Sequence, residues 1–321
     1  MIDAFAIAYY SSVILVIALS IIGNGMGGGK IGKAALEAID IQPRAKNEIM
    51  RATVIGLALL ETAALLALII VLFMLFTART VSNPWQMVAQ MGTIVAIGLP
   101  ALLVGVYAAP AIEKTCKSIA RQPFFYQSII NMMLITQVVI QTAVIFGFLI
   151  SLLIFFNLSQ VTTWQQAVVL CMAGTALGLG AIGPIIGLSA FAQTVCEYIS
   201  INRTILMPSR ALLSFTFLSC AIIETPLILA FIIALAIGLS TGSIDDPYLV
   251  ARTFAAALCI ALGTLGPCLA SSKTAAQTAR QIAQNPSMHL SLSHASMFAQ
   301  GIIDASAIYA LLVSLIILFI K

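Results

Sequence analysis

Charge is what this sequence has least of. Of its 321 residues only 8% are Asp, Glu, Lys or Arg, against 61% hydrophobic ones, and the mean hydropathy is +1.10. A soluble globular domain carries roughly 25% charged residues, because its surface must be wetted. A chain this poor in charge cannot cover a water-facing surface of its size, which excludes soluble enzymes and soluble binding modules and places it in lipid. Cysteine of the paired kind is also missing: Cys116, Cys171, Cys196, Cys220, Cys259 and Cys268 stand singly in apolar runs with no metal-like spacing. They read as small hydrophobes, not as disulfide or metal sites. The start, Met1-Ile2-Asp3-Ala4, lacks the basic residues of a secretory signal and reads as the beginning of a membrane helix. The net charge of +4 is no nucleic-acid signal, since its basic residues lie between apolar stretches.

What the sequence has in abundance is long apolar runs. A bilayer core of roughly 30 Å needs about 20 such residues in a helix, and suitable stretches lie near 5–38, 46–78, 85–119, 126–157, 163–200, 207–240, 248–283 and 289–320. They lack the alternation of barrel strands, so helices remain as the structure that satisfies every backbone group in lipid. The expected fold is an all-α membrane protein of eight spans in four tandem hairpins, divided 1–80, 81–160, 161–243 and 244–321. Lys30, Lys33, Arg44, Lys46, Arg51, Lys114, Lys117, Arg121, Arg203, Arg210, Lys273 and Arg280 flank the turns within the hairpins; Arg79, Arg252 and Lys321 lie at the other side. By the positive-inside rule the turns face the cytoplasm, with both termini opposite.

The hairpins repeat one text. Their turns read Ile41-Gln42-Pro43, Arg121-Gln122-Pro123, Ile201-Asn202-Arg203 and Gln284-Asn285-Pro286, the third residues standing 80, 80 and 83 apart. Eighteen residues after Pro43, Pro123 and Pro286 come Glu61, Gln141 and Asp304, and 21 after Arg203 comes Glu224. One polar residue thus recurs at one register of every second helix. A charge at mid-membrane depth costs about 2.5–3.5 kcal/mol even on insertion scales, so a lone acid there would pass for a structural hydrogen-bonding group. Three at one register of a fourfold repeat point to Glu61, Glu224 and Asp304 as groups that take up and release an ion. Gln141 fills the same place but cannot exchange a proton; it marks a degenerate site.

Gly23-Asn24-Gly25-Met26-Gly27-Gly28-Gly29-Lys30 satisfies the spacing of a dinucleotide fingerprint without its strand–turn–helix context, and fails as a phosphate loop because Asn24 and Ile31 stand where Gly and Ser or Thr belong. Within a membrane helix, Gly23, Gly25, Gly27 and Gly29 instead let neighbouring backbones approach closely. First helices rich in small residues suit a crowded inner ring, and second helices rich in Leu, Ile and Phe suit the lipid side.

These features together resemble the c subunit, or proteolipid, of rotary ATP synthases: the glycine-rich first helix, the Arg-Gln-Pro type of turn and the carboxylate eighteen residues on. The resemblance implies a closed rotor ring of copies, carboxyls loaded and emptied at a stator a-type subunit, and turns that touch the central stalk through Gln42, Pro43, Arg121, Gln122, Pro123, Asn202, Arg203, Asn285 and Pro286. It also implies a non-catalytic subunit without cofactor or nucleotide site, surrounded by lipid in a bacterial inner membrane. The turn triplets resemble F-type c subunits, while the fusion and Gln141 resemble V-type proteolipids; an F-type ring evolved by duplication is the favoured reading, with a V-type proteolipid as the alternative. The position about 33 residues before the carboxyl, a glutamine in sodium-binding rings, holds Gly28, Ala108, Leu188 and Ser271 here; with Thr62 and Thr225 as the other oxygen donors, protons are favoured and sodium stays open. A secondary transporter remains as another reading, because Pro100, Pro110, Pro184, Pro226 and Pro267 are expected to interrupt helices.

Overall fold

The computed structural model describes residues 2–77, 83–201, 211–240 and 248–320. Among them, eight helical stretches are long and apolar enough to cross a membrane. Helix α1 (Ile2–Ile41) pairs with α2 (Lys46–Thr77). The second pair opens with α3 (Pro84–Thr93), passes through a wide π turn at Ile94–Gly98 into α4 (Leu99–Arg121), and returns by α5 (Tyr126–Asn157). In the third, α6 (Trp164–Gly180) and α7 (Ile182–Tyr198) meet at Ala181 and are followed by α8 (Ala211–Leu239). The fourth consists of α9 (Leu249–Gln284) and α10 (His289–Phe319).

Three turns share one backbone conformation. Gln42, Gln122 and Asn285 have φ/ψ of −137/79°, −136/67° and −129/77°, and each precedes a proline that opens a single 3-10 turn. Proline's ring drives the residue before it out of the helical region, while its own fixed φ suits the first position of the next helix. The polar residue therefore ends one helix and the proline starts the other. Residues 202 and 203 of the remaining turn lie outside the described residues.

The hairpins stand in a row two helices deep. In the inner layer α1 packs on α4, α3 and α4 on α6 and α7, and these on α9; in the outer layer α2 packs on α5, α5 on α8, and α8 on α10. Hairpins 1 and 4 are the ends of the row and share no packed interface among the described residues. Neighbours sit almost level with one another. Ser118 Oγ donates to the Cys196 carbonyl (2.6 Å), Gln141 Nε2 to that of Leu59 (2.9 Å) and Thr264 Oγ1 to that of Gly180 (3.1 Å), pairs 78, 82 and 84 residues apart. Each separation is close to the length of one repeat, so equivalent residues lie at similar depths. Large apolar side chains such as Leu65, Phe76, Leu149, Phe156, Ile232 and Leu312 are exposed on the outer helices, as a lipid-facing surface requires.

Close approach in the inner layer depends on glycine, but only on one face of α1. A Cβ on Gly23 would lie 2.6 Å from the Leu102 carbonyl oxygen, and one on Gly27 would collide with that of Gly105. Gly25 and Gly29 have open space around them. Two residues turn a helix by about 200°, so the alternate glycines face the side where this chain places no neighbour.

The prolines correct one expectation. Pro110, Pro226 and Pro267 lie inside uninterrupted helices, and only Pro100 and Pro184 adjoin irregular turns. A proline cannot donate to the carbonyl four residues earlier. Pro184 frees the carbonyl of Gly180, which Thr264 of α9 satisfies; Pro100 frees that of Ala96, against which Gly147 of α5 packs with no room for a Cβ. Thr264→Val leaves the Gly180 oxygen without this donor and is expected to cost about 1 kcal/mol, near the usual worth of hydrogen bonds between membrane helices. Reversible unfolding in detergent measures it.

Candidate ion-binding carboxyls on the outer helices

The repeated polar position falls on the outer helices α2, α5, α8 and α10. Its four occupants differ in surroundings. Asp304 is buried at 8% exposure and Gln141 at 6%, Glu224 is half-buried and Glu61 is exposed. Glu61 is exposed because no outer helix precedes α2 in the row, whereas Gln141 of the next hairpin has α2 before it and meets Leu59 there.

Asp304 has the most complete site. Ser271 Oγ of α9 donates to its Oδ1 at 2.8 Å, while Oδ2 is buried and has no partner among the described residues. Glu224 lies near Thr142 of the preceding hairpin, whose hydroxyl donates to the Val139 carbonyl of its own helix at 2.6 Å. Gln141 likewise reaches back one hairpin, to the Leu59 carbonyl. Contacts of these two polar residues thus cross from each outer helix to the one before it. The corresponding position of Gly28, in front of Glu61, offers no side-chain oxygen, and what a Cβ there would touch is Leu57 at 3.6 Å.

The threonines expected near the carboxyls are committed elsewhere. Thr62 Oγ1 donates to the Leu59 carbonyl (2.6 Å) and Thr225 Oγ1 to that of Ala221 (3.1 Å), each within its own helix. Ser271 is brought to a carboxyl; Thr62 and Thr225 are not brought to the acids beside them in sequence. Two residues went unrecognised in the sequence. Thr142 faces Glu224, and its signal was the series Thr62, Thr142, Thr225, Ala305 immediately after each polar position. Gln300 is fully buried one turn before Asp304, and its signal was the parallel Gln137 before Gln141.

At the turn end the inner helices are tied by ion pairs. Lys117 reaches Glu37 at 2.9 Å, Glu37 also lies 3.8 Å from Lys33, and Lys114 meets Glu197 at 2.9 Å. Two of these cross between hairpins, so basic residues at the turn end also lace the row together. Gln42, Pro43, Arg121, Gln122, Pro123, Asn285 and Pro286 all stand at this end, beyond the apolar span.

The family model for the C subunit of ATP synthase matches residues 12–74, 91–154 and 254–317. The whole of the third hairpin, whose turn departs furthest from the shared text, lies outside those matches. An ATP synthase c subunit of Bacteroides thetaiotaomicron is 47% identical over 58 residues, 18% of this chain and 68% of that protein. One of Pelobacter propionicus is 38% identical over 72 residues, 22% of this chain and 74% of its own length. Another, of Clostridium botulinum, is 44% identical over 59 residues, 18% of this chain and 75% of that one. Each relative thus corresponds to a single hairpin of this chain. With the repeated turn, the small-residue inner helices and three separate matches along one polypeptide, this chain belongs to the ATP synthase c-subunit family, as a fused, multi-hairpin proteolipid of the membrane.

Proposed function

We propose that copies of this chain close into a rotor ring in which Glu61, Glu224 and Asp304 bind protons at one half-channel of a stator a-type subunit and release them at another, while Gln141 travels uncharged. The observation that carries the reading is the common register of the three acids and Gln141 on the outer helices, level with one another across a row of hairpins. In lipid an isolated carboxyl stays neutral, because desolvation penalises its charge; against a fixed positive charge in the stator it ionises. The turns at Gln42, Arg121 and Asn285, and the one containing Asn202 and Arg203, face the central stalk. The basic residues beside them support a cytoplasmic position for that end, in a bacterial inner membrane.

The exposed glycines supply the ring contact. Gly25 and Gly29 on α1 of one copy offer a small-residue face to the free flank of hairpin 4 on the next, where Gly266 of α9 also has open space. A head-to-tail contact of this kind closes into a ring when the rotation per step divides a full turn. Protons are the transported ion, because Glu61 has Gly28 before it and Thr62 and Thr225 spend their hydroxyls on their own backbones. A desolvated sodium ion would need several oxygen ligands.

Labelling of the assembled ring with dicyclohexylcarbodiimide tests the reading. We expect modification of Glu61, Glu224 and Asp304, suppressed as pH rises and the carboxyls ionise, with peptide mass spectrometry assigning the sites. Labelling at other mid-membrane sites, at none of these three, or without pH dependence would sink it.

A further inference from the structure

Hairpin 4 holds a pair of buried oxygens that no donor among the described residues satisfies. Gln300 is fully buried and Asp304 is 8% exposed. They stand four residues apart on α10, so they share one face of the helix a turn apart. The Gln300 amide group donates to Ser296 Oγ at 2.9 Å and to Ser219 Oγ of α8 at 3.3 Å, which leaves its Oε1 buried without a donor. Asp304 Oδ1 accepts from Ser271, and its Oδ2 is likewise buried without a donor. Two neighbouring acceptors with no donor are costly, because each loses its water on burial and gains no bond in return. One proton on Asp304 removes both deficits.

We propose that Gln300 is the positioning residue of the fourth ion site: protonated Asp304 donates from Oδ2–H to Gln300 Oε1, while Ser271 donates to Oδ1. The inference rests on the reading of Asp304 as an ion carrier. It assigns opposite effects to the two partners. Gln300 can only accept from this carboxyl and so favours the protonated form; the Ser271 hydroxyl donates and favours the anion. Hairpin 2 has the same spacing in Gln137 and Gln141, but the Gln141 amide is spent on the Leu59 carbonyl, and both side-chain oxygens are left without donors. That pair is what Gln300 and Asp304 would be without a proton. The equivalent positions before Glu61 and Glu224 are Leu57 and Cys220, which carry no amide oxygen. The three carboxyls therefore hold their protons differently, and the fourth hairpin holds its proton with an additional bond. Ionisable groups on these elements are Arg252, Cys259, Cys268, Lys273 and Arg280 of α9, Cys220 and Glu224 of α8, and His289, His294 and Tyr309 of α10 itself; of these, Cys268 is the one that feels the charge of Asp304.

The test is the pH profile of carbodiimide labelling at Asp304 in the assembled ring, with Glu224 of the same chain as internal reference. In Gln300→Leu the midpoint at Asp304 is expected to move about one unit to lower pH, roughly tenfold in proton affinity, as the loss of one buried hydrogen bond to the neutral acid implies. In Ser271→Ala it is expected to move up, and Glu224 stays put in both. Should the leucine variant fail to assemble, Gln300→Met keeps the length with only a weak acceptor and is expected to shift downward too. Shifts in the same direction for Gln300→Leu and Ser271→Ala, or an unmoved midpoint in the Gln300 variants, overturn the bridge while leaving Asp304 an ion carrier. Protection of Asp304 by sodium that is lost with Gln300 makes the glutamine a metal ligand and also overturns it. An Asp304 whose labelling ignores pH in the unaltered chain removes the ion-carrier reading itself.

Discussion

Glu224→Gln is expected to lower ion-driven ATP synthesis at least tenfold while leaving the ring assembled. Gln141 already shows that an amide fits this register, buried and bonded to the Leu59 carbonyl, so the substitution has a precedent within the chain. What it removes is charge. Two uncharged amides, Gln141 and the one introduced a hairpin later, would then pass the stator in succession, and a fixed cation there would lose its counter-charge for two consecutive steps. An unpaired arginine or lysine at mid-membrane depth costs about 2.5–3.5 kcal/mol on insertion scales, enough for roughly a hundredfold in rate at 1.4 kcal/mol per factor of ten. The reverse change is as informative. Gln141→Glu gives four acids at this register where the natural chain has three, so under the proposed mechanism the ratio of protons to ATP is expected to rise by about a third. A protonated glutamic acid can still donate to the Leu59 carbonyl, so this variant should assemble. Synthesis at full rate in Glu224→Gln, or an unchanged proton-to-ATP ratio in Gln141→Glu, would refute the assigned roles.

Gly105→Leu is expected to abolish the folded chain outright. A Cβ on Gly105 would overlap the backbone of Gly23 and lie 2.7 Å from the Asn24 nitrogen, while Gly27 faces the Gly105 carbonyl. The obstacle is backbone on both sides, which cannot swing away as a side chain can, so α1 and α4 must separate along their length. Overpacking of a well-fitted core typically costs about 1–3 kcal/mol when side chains can adjust; here the cost exceeds that range. Gly25→Leu is the control. Its side chain enters open space, so the single chain keeps its helicity and thermal stability, but ring closure is lost. Size-exclusion chromatography with light scattering separates the outcomes: little folded protein for the first, a folded unclosed species for the second. A closed ring in Gly25→Leu would remove that face from the contact between copies.

Much of this arrangement was legible from sequence, for identifiable reasons. Hydropathy summed over about 20 residues is a strong signal, because each apolar residue of a span adds to it. Gln42-Pro43, Gln122-Pro123 and Asn285-Pro286 announce their turns because proline restricts its own backbone and that of its predecessor. The prolines within spans misled for the same reason. In water they would break a helix, but here Pro110, Pro226 and Pro267 lie in continuous ones, and where a carbonyl is freed beside a neighbour, a group such as Thr264 can take it up. Thr62 and Thr225 misled differently: adjacency to a carboxyl in sequence puts the hydroxyl about 100° away around the helix, and the nearest acceptor was their own backbone.

By itself the sequence determined the spans, the fourfold text and the imbalance of three acids to one amide, since all of these are carried by residues close together along the chain or repeated at fixed spacing. Tertiary structure alone decided which neighbour each polar position meets: the Ser271 hydroxyl for Asp304, the Leu59 carbonyl for Gln141, the vicinity of Thr142 for Glu224, and no described group of this chain for the exposed side of Glu61. It also decided that Gly23 and Gly27 pack while Gly25 and Gly29 have open space around them. Those outcomes depend on how far each helix is rotated about its axis. In a helix apolar on every side, no polar face marks that rotation, and only packing against the next helix sets it.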